Sequence, residues 1–125
     1  MTKQNSLDEL QELKAAIITA IDDKKGENII SIEIGKLENS ITDYFIICNA
    51  QSNTQVNAIS AGIEKDIRNK LKQRPWHIEG RDNAQWIVMD YSSIIVHIFQ
   101  TPYREFYKLE ELWADAPIEK VNQES

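Results

Sequence analysis

The chain has 125 residues, 42% hydrophobic and 27% charged, which fits a single globular domain spanning 1–125. Lys and Arg number 14 against 20 Asp and Glu, a formal net charge of −6. That balance disfavours a general nucleic-acid binder and a protein lying on anionic lipid, and it suits a basic protein partner. One cysteine, Cys48, excludes an internal disulfide and points to a reducing cytoplasm. No apolar run is long enough to span a membrane, and residues 1–5 lack the apolar core of a signal peptide.

A first helix is expected to open at Ser6, with Glu9 in capping-box spacing. Leu7, Leu10, Leu13, Ile17 and Ile21 recur at the helical period, and Gly26 is placed as the C-cap. Ile30, Ile32 and Ile34 alternate with Ser31 and Glu33, the pattern of a half-buried strand. Tyr44–Cys48 is continuously apolar, as a central strand covered on both faces must be, and the two strands are expected to form a hairpin. Ser52 and Gln55 repeat the capping-box spacing ahead of a helix over Thr54–Gln73, with Val56, Ile59, Ile63, Ile67 and Leu71 on its inner side. Its outer side carries residues 64–74, net charge +3, the one basic stretch of the chain and ordinarily a solvated face.

Pro75 ends that helix. Trp76–Glu79 reads as a short strand, Trp86–Tyr91 as another, Ser92-Ser93 as a tight turn and Ile94–Phe99 as the antiparallel return. Pro102 starts a short helix over Tyr103–Leu109; Leu109, Leu112 and Trp113 should dock on the core, and residues 116–125 form a polar, frayed tail. The order α-β-β-α-β-β-β-α predicts an α/β (α+β) fold, a mixed sheet of about five strands flanked by helices.

Enzyme templates fail on this sequence. The four glycines are scattered, so no phosphate loop exists. Cys48 sits in the most apolar strand, where a thiolate is costly, and reads as a core residue. His77 and His97 stand on separate elements without metal-ligand spacing, and Asp43 reads as a turn cap. No catalytic residue, metal or cofactor is expected. Alternation puts Trp86, Val88 and Asp90 on one face of their strand, and Ile95, His97 and Phe99 on one face of the return. Trp86 is either core or an exposed anchor, and His97 either a core histidine or part of a site. Tyr103, Arg104, Phe106 and Tyr107 form an aromatic and guanidinium cluster, either rim packing or a protein-binding patch.

Three blocks of sequence carry a family resemblance. Asp23, Gly26 and Asn28 precede the first strand; Ile41–Ile47, Ser52–Gln55 and Ala58-Ile59 follow. The third block holds Glu79-Gly80, Trp86, Asp90-Tyr91, Val96–Phe99, Arg104, Tyr107, Leu109-Glu110 and Leu112-Trp113. Together they resemble the Iojap family of ribosomal silencing factors over about residues 7–115. The resemblance implies a nucleotidyltransferase-like core without its chemistry, because the Gly-Ser and paired-Asp motif of such enzymes is missing. It further implies a binding protein. Its partner would be the universal protein numbered fourteen of the large ribosomal subunit, on the intersubunit face, where occupation blocks subunit joining and represses translation. Direct sequence-specific nucleic-acid binding is not expected.

The partner surface is placed on Trp86 and Asp90, ringed by Glu79, Tyr91, His97, Tyr103, Arg104 and Tyr107. The family often has Gly at Ala50 and Gly-Asp at Ser92-Ser93. Without Gly, the turn at Ser92-Ser93 is expected to avoid positive φ and adopt a longer or type I geometry. Two alternatives stand beside this reading. One is a degenerate nucleotidyltransferase around Asp43, Glu79 and Asp90; the other is a homodimeric interaction module, compatible with a homodimer off the ribosome.

Overall fold

The apolar stripe of the first helix closes on a sheet. In the computed structural model, which describes residues 3–121 and 123 (backbone alone for 3–5), α1 spans Lys3–Asp23 and buries Leu13, Ile17, Ala20 and Ile21. Ser6 lies inside α1 rather than at its start, so it does not cap the helix. At the other end Lys25, not Gly26, takes the left-handed conformation (φ 65°). The Lys25 amide donates to Asp22 O (3.0 Å) and the Gly26 amide to Ile21 O (2.9 Å), the bond pair of a Schellman stop. Gly26 is required for space instead: a Cβ there would lie 2.4 Å from the Ile21 side chain.

The strands are β1 (Glu27–Ile32), β2 (Tyr44–Ala50), β3 (His77–Glu79), β4 (Trp86–Asp90), β5 (Ile94–Gln100) and β6 (Ile118–Lys120). They form one mixed sheet in the order β3-β4-β5-β2-β1-β6. β1 and β2 pair as the expected antiparallel hairpin, and β2 runs parallel to β5. The apolar run Tyr44–Cys48 is therefore central. The helix α2 (Asn53–Leu71) begins the crossover from β2 that makes the sheet mixed.

At the start of α2, Ser52 Oγ accepts from the Gln55 amide at 3.1 Å, as its spacing predicts. The Gln55 side chain does not reach back to complete the box. It donates to Lys24 O and Lys25 O, capping the end of α1 from the start of α2.

Two apolar layers sandwich the sheet. On one face α1 and α2 cover Ile29, Ile46, Cys48, Ile87, Met89, Tyr91, Val96 and Ile98. On the other, Ile30, Ile32, Ile34, Phe45, Ile47, Ile95 and Phe99 pack with Leu109 and Ala116. Each buried Ile, Leu, Val, Met or Phe of these layers contributes about 1.5–3 kcal/mol by leaving water. β1 was expected to be half-buried, but Ile29–Ile32 are all buried, because the layer of α1 and α2 covers the face of Ile29 and Ser31 that alternation assigned to solvent, while Ile30 and Ile32 enter the second layer.

Four further expectations are corrected. The sheet has six strands, not five, because residues 118–120 pair with β1 instead of fraying. Ala116 is buried, and Gln123 Nε2 donates to Gly26 O at 2.7 Å, so the tail straps the edge of β1. The C-terminal helix is two: α3 (Thr101–Tyr107) and α4 (Leu109–Leu112), broken at Lys108 with φ 49°. Leu109 docks and Trp113 packs on the second layer, but Leu112 is 71% exposed. Finally, Ser92 does adopt positive φ (73°), with the Ser93 amide bonded to Tyr91 O at 2.9 Å. That is the rarer γ-turn, strained for serine and held by Asp90 Oδ1, which accepts from the Ser92 amide at 2.7 Å. No helix among the described residues is long and apolar enough to cross a membrane.

Candidate functional site

Antiparallel register builds a face on β3, β4 and β5. Trp86 lies opposite Phe99, Val88 opposite His97 and Asp90 opposite Ile95, while His77 and Glu79 sit opposite Asp90 and Val88. Directly opposed residues share a side of the sheet, so all these side chains belong to the layer away from α1 and α2. Gly80 lets the chain leave β3 toward this register. Its φ is 94°, and a Cβ there would meet Trp86 O at 2.0 Å.

Trp86 is neither core nor free. It is half-buried, its ring stacked on Phe99 (4.8 Å between centroids, 26°) and tilted on Tyr107 at 5.0 Å. Its Nε1 donates to His97 Nδ1 at 3.1 Å. His97 is the core histidine of the two readings: it is buried, and desolvation pushes its pKa down to about 4. Accepting at Nδ1 puts the ring proton on Nε2. Nε2 has no partner among the described residues, and the edge-to-face ring of Phe45 lies 4.6 Å away by centroids.

Tyr107 is 49% exposed, and Phe106, 77% exposed, meets it edge-on at 5.1 Å. Glu79 is exposed and shares a 2.6 Å contact with His77. Trp86 and Tyr107 thus meet beside a buried His97, with Glu79 and Asp90 on the same side of the sheet. Tyr103 packs half-buried against the same apolar layer. Phe106 and His77 belong to the surface but were not among the expected partner residues. The alternation of β3 was the available signal for His77.

Two expected members lie elsewhere. Tyr91 is on the opposite side of the sheet, buried against α2, and its phenol is raised in pKa by burial and then by Glu64. Strand parity alone separates it from Asp90. Arg104 is committed internally. Its Nε and Nη2 donate to Glu110 Oε2 (3.0 and 2.8 Å), and its Nη1 donates to Asn28 O (2.6 Å) and Asn49 Oδ1 (2.8 Å). It lines a separate cleft of about 850 Å³ with Asn28, Asn49, Thr101 and Lys108.

Cys48 is fully buried and its thiol is pushed up to about 12, the behaviour of a core residue. Asp43 is exposed at the start of β2, and among the described residues no group of three or more His, Cys, Asp or Glu lies close enough to hold a metal ion.

A family model described as "Ribosomal silencing factor during starvation" matches residues 7–125. A ribosomal silencing factor of Halalkalibacterium halodurans is 35% identical over 107 residues, 86% of this chain and 90% of that one. The mouse protein named mitochondrial assembly of ribosomal large subunit protein 1 is 33% identical over 78 residues, 61% of this chain and 34% of that one. A crystal structure of a protein from Chromobacterium violaceum superposes with a TM-score of 0.80 at 28% identity, covering 84% of this chain and 86% of that one. The sheet, its two layers and this degree of identity agree: the chain belongs to the ribosomal silencing factor family.

Proposed function

We propose that this chain represses translation without catalysis, by docking the Trp86 face on the universal protein numbered fourteen of the large ribosomal subunit and blocking entry of the small subunit. One observation carries the reading. A half-buried indole, exposed aromatic rings of Tyr107 and Phe106, and the carboxylates of Glu79 and Asp90 share one side of the sheet edge. An aromatic anchor beside carboxylates suits a partner rich in Lys and Arg, burial giving affinity and charge giving orientation. The net charge of −6 points the same way. The name of the mouse relative, which refers to the large subunit, supports the choice of subunit.

The test is cosedimentation with purified large and small subunits kept separate, followed by a subunit-joining assay. The expected result is pelleting with large subunits alone and a dose-dependent loss of joined ribosomes. Pelleting with neither subunit, or joining that proceeds at saturation, overturns the reading.

A further inference from the structure

We infer that the C-terminal end of α2, together with Trp76, forms a second contact surface, and that it takes the phosphodiester backbone of RNA. The inference rests on the docking proposed above. Lys65, Arg68, Lys70, Lys72 and Arg74 are all exposed, in a chain whose net charge is −6. Among the described residues none of the five stands in an ion pair. Glu64, the acid that opens the stretch, is taken by Arg81 at 3.0 Å.

Helix energetics explain part of this charge. Cations in a last turn are favoured by the helix dipole, and Lys72 Nζ donates to Asn69 O at 3.2 Å. They do not explain Lys65, which lies well before the last turn, or Arg74, which lies beyond it. Lys65 and Arg68 lie three apart on one stripe of the helix, and Lys72, its left-handed C-cap, follows four residues on.

Trp76 completes the surface. It is 79% exposed, the barest of the three tryptophans, yet its backbone is fixed: its amide donates to Asp90 O at 2.7 Å. A bare indole on a fixed backbone, two residues from Arg74, adds a stacking platform to a row of cations. Nucleic-acid strands are held by that combination, cations on the phosphates and aromatic rings on the bases. Phosphates use the cations and unstacked bases use the indole, so one RNA strand engages both.

The position fits the proposed docking. α2 packs on the side of the sheet opposite Trp86, so a partner on the Trp86 face leaves these cations uncovered. The next residue after Trp76, His77, already belongs to that face, so the two surfaces adjoin at β3. A protein seated on the large subunit would then meet ribosomal RNA beside its protein partner.

The experiment compares the wild type with two variants of the full chain, Trp76→Ala and the combined Lys65→Ala, Arg68→Ala, Lys72→Ala. Affinity for purified large subunits is measured over stepped potassium chloride, and affinity for isolated protein fourteen in parallel. The triple variant is expected to lose about tenfold or more on large subunits at low salt and to flatten the log affinity–log salt slope by about 2 units, roughly 0.7 for each lost phosphate contact. Trp76→Ala should lose affinity on large subunits with the slope kept. Binding to isolated protein fourteen should not change. An unchanged affinity and slope on large subunits overturns the inference. Equal losses on large subunits and on isolated protein fourteen overturn it too, because the cations then grip protein. If the wild type binds neither large subunits nor protein fourteen, the docking proposal has failed separately, and a labelled polyuridine oligonucleotide decides the patch. Salt-sensitive binding lost in the triple variant sustains an RNA contact, and absence of binding at low salt ends it.

Discussion

The indole Nε1 of Trp86 donates to Nδ1 of His97 across 3.1 Å, tying a half-buried ring to a buried one. His97 lies opposite Val88 on β4, so the bond runs diagonally along the sheet and fixes the tilt of the indole over Phe99.

Acid should break this relationship. Burial lowers the folded pKa of His97 to about 4 from an ordinary value of 6.5. Between those values the unfolded chain binds the proton and the folded chain does not. The stability contribution is therefore complete above pH 6.5 and is lost as pH falls toward 4. From pH 7 to 4.5 the wild type should lose roughly 2–3 kcal/mol more than His97→Phe, measured by urea unfolding of both. Parallel losses in the two proteins would remove His97 as the cause.

Trp86→Ala tests the anchor. Binding to large subunits should weaken by about 2 kcal/mol or more, the size of a hot-spot truncation. The stacking on Phe99 is lost as well, so stability should fall by about 1–3 kcal/mol with the far-ultraviolet circular dichroism retained. A folded Trp86→Ala protein that binds with wild-type affinity would move the interface off this face.

Phe45 tests the centre of the sheet. It is buried in β2, edge-on to His97 and to Trp113 at 5.7 Å. Phe45→Ala should cost about 3–5 kcal/mol in denaturant unfolding. A loss below about 1 kcal/mol would contradict a close-packed second layer.

Arg104 should matter to the fold and not to the partner surface. Arg104→Ala strands Glu110 and Asn28 O and leaves Asn49 Oδ1 with the Asn28 side-chain amide alone, at an expected cost of about 2–3 kcal/mol. Under conditions where the variant is folded, affinity for large subunits should equal that of the wild type. A double-mutant cycle with Glu110→Ala should show coupling, since both guanidinium bonds to Glu110 are lost in either variant.

Some of this was legible because it is local. Helical period, the Ser52 cap, the β1–β2 hairpin and the central apolar strand follow from residues a few positions apart. So did the shared side of Trp86 and Asp90, which strand parity fixes, and the same parity already separates Tyr91 from them. The family blocks also named the fold class correctly.

What the tertiary structure decided is everything that depends on which surfaces meet. Residues 118–120 carry no strand signal of their own; they become β6 because β1 offers an unpaired edge, with Gln123 fixing the end. β1 is buried on both faces because α1 and α2 cover the side of Ile29 and Ser31 while Leu109 and Ala116 close over Ile30 and Ile32, and alternation sees only the strand itself. Ser92 is forced to positive φ by the close return of β5 on β4, against its intrinsic preference. Arg104 reads as a free guanidinium until folding brings Asn28 and Asn49, distant in the chain, to its donors. Local pattern sets the elements and their parity; the pairing of distant edges and the closing of the second layer decide which polar groups are consumed by the fold and which remain for a partner.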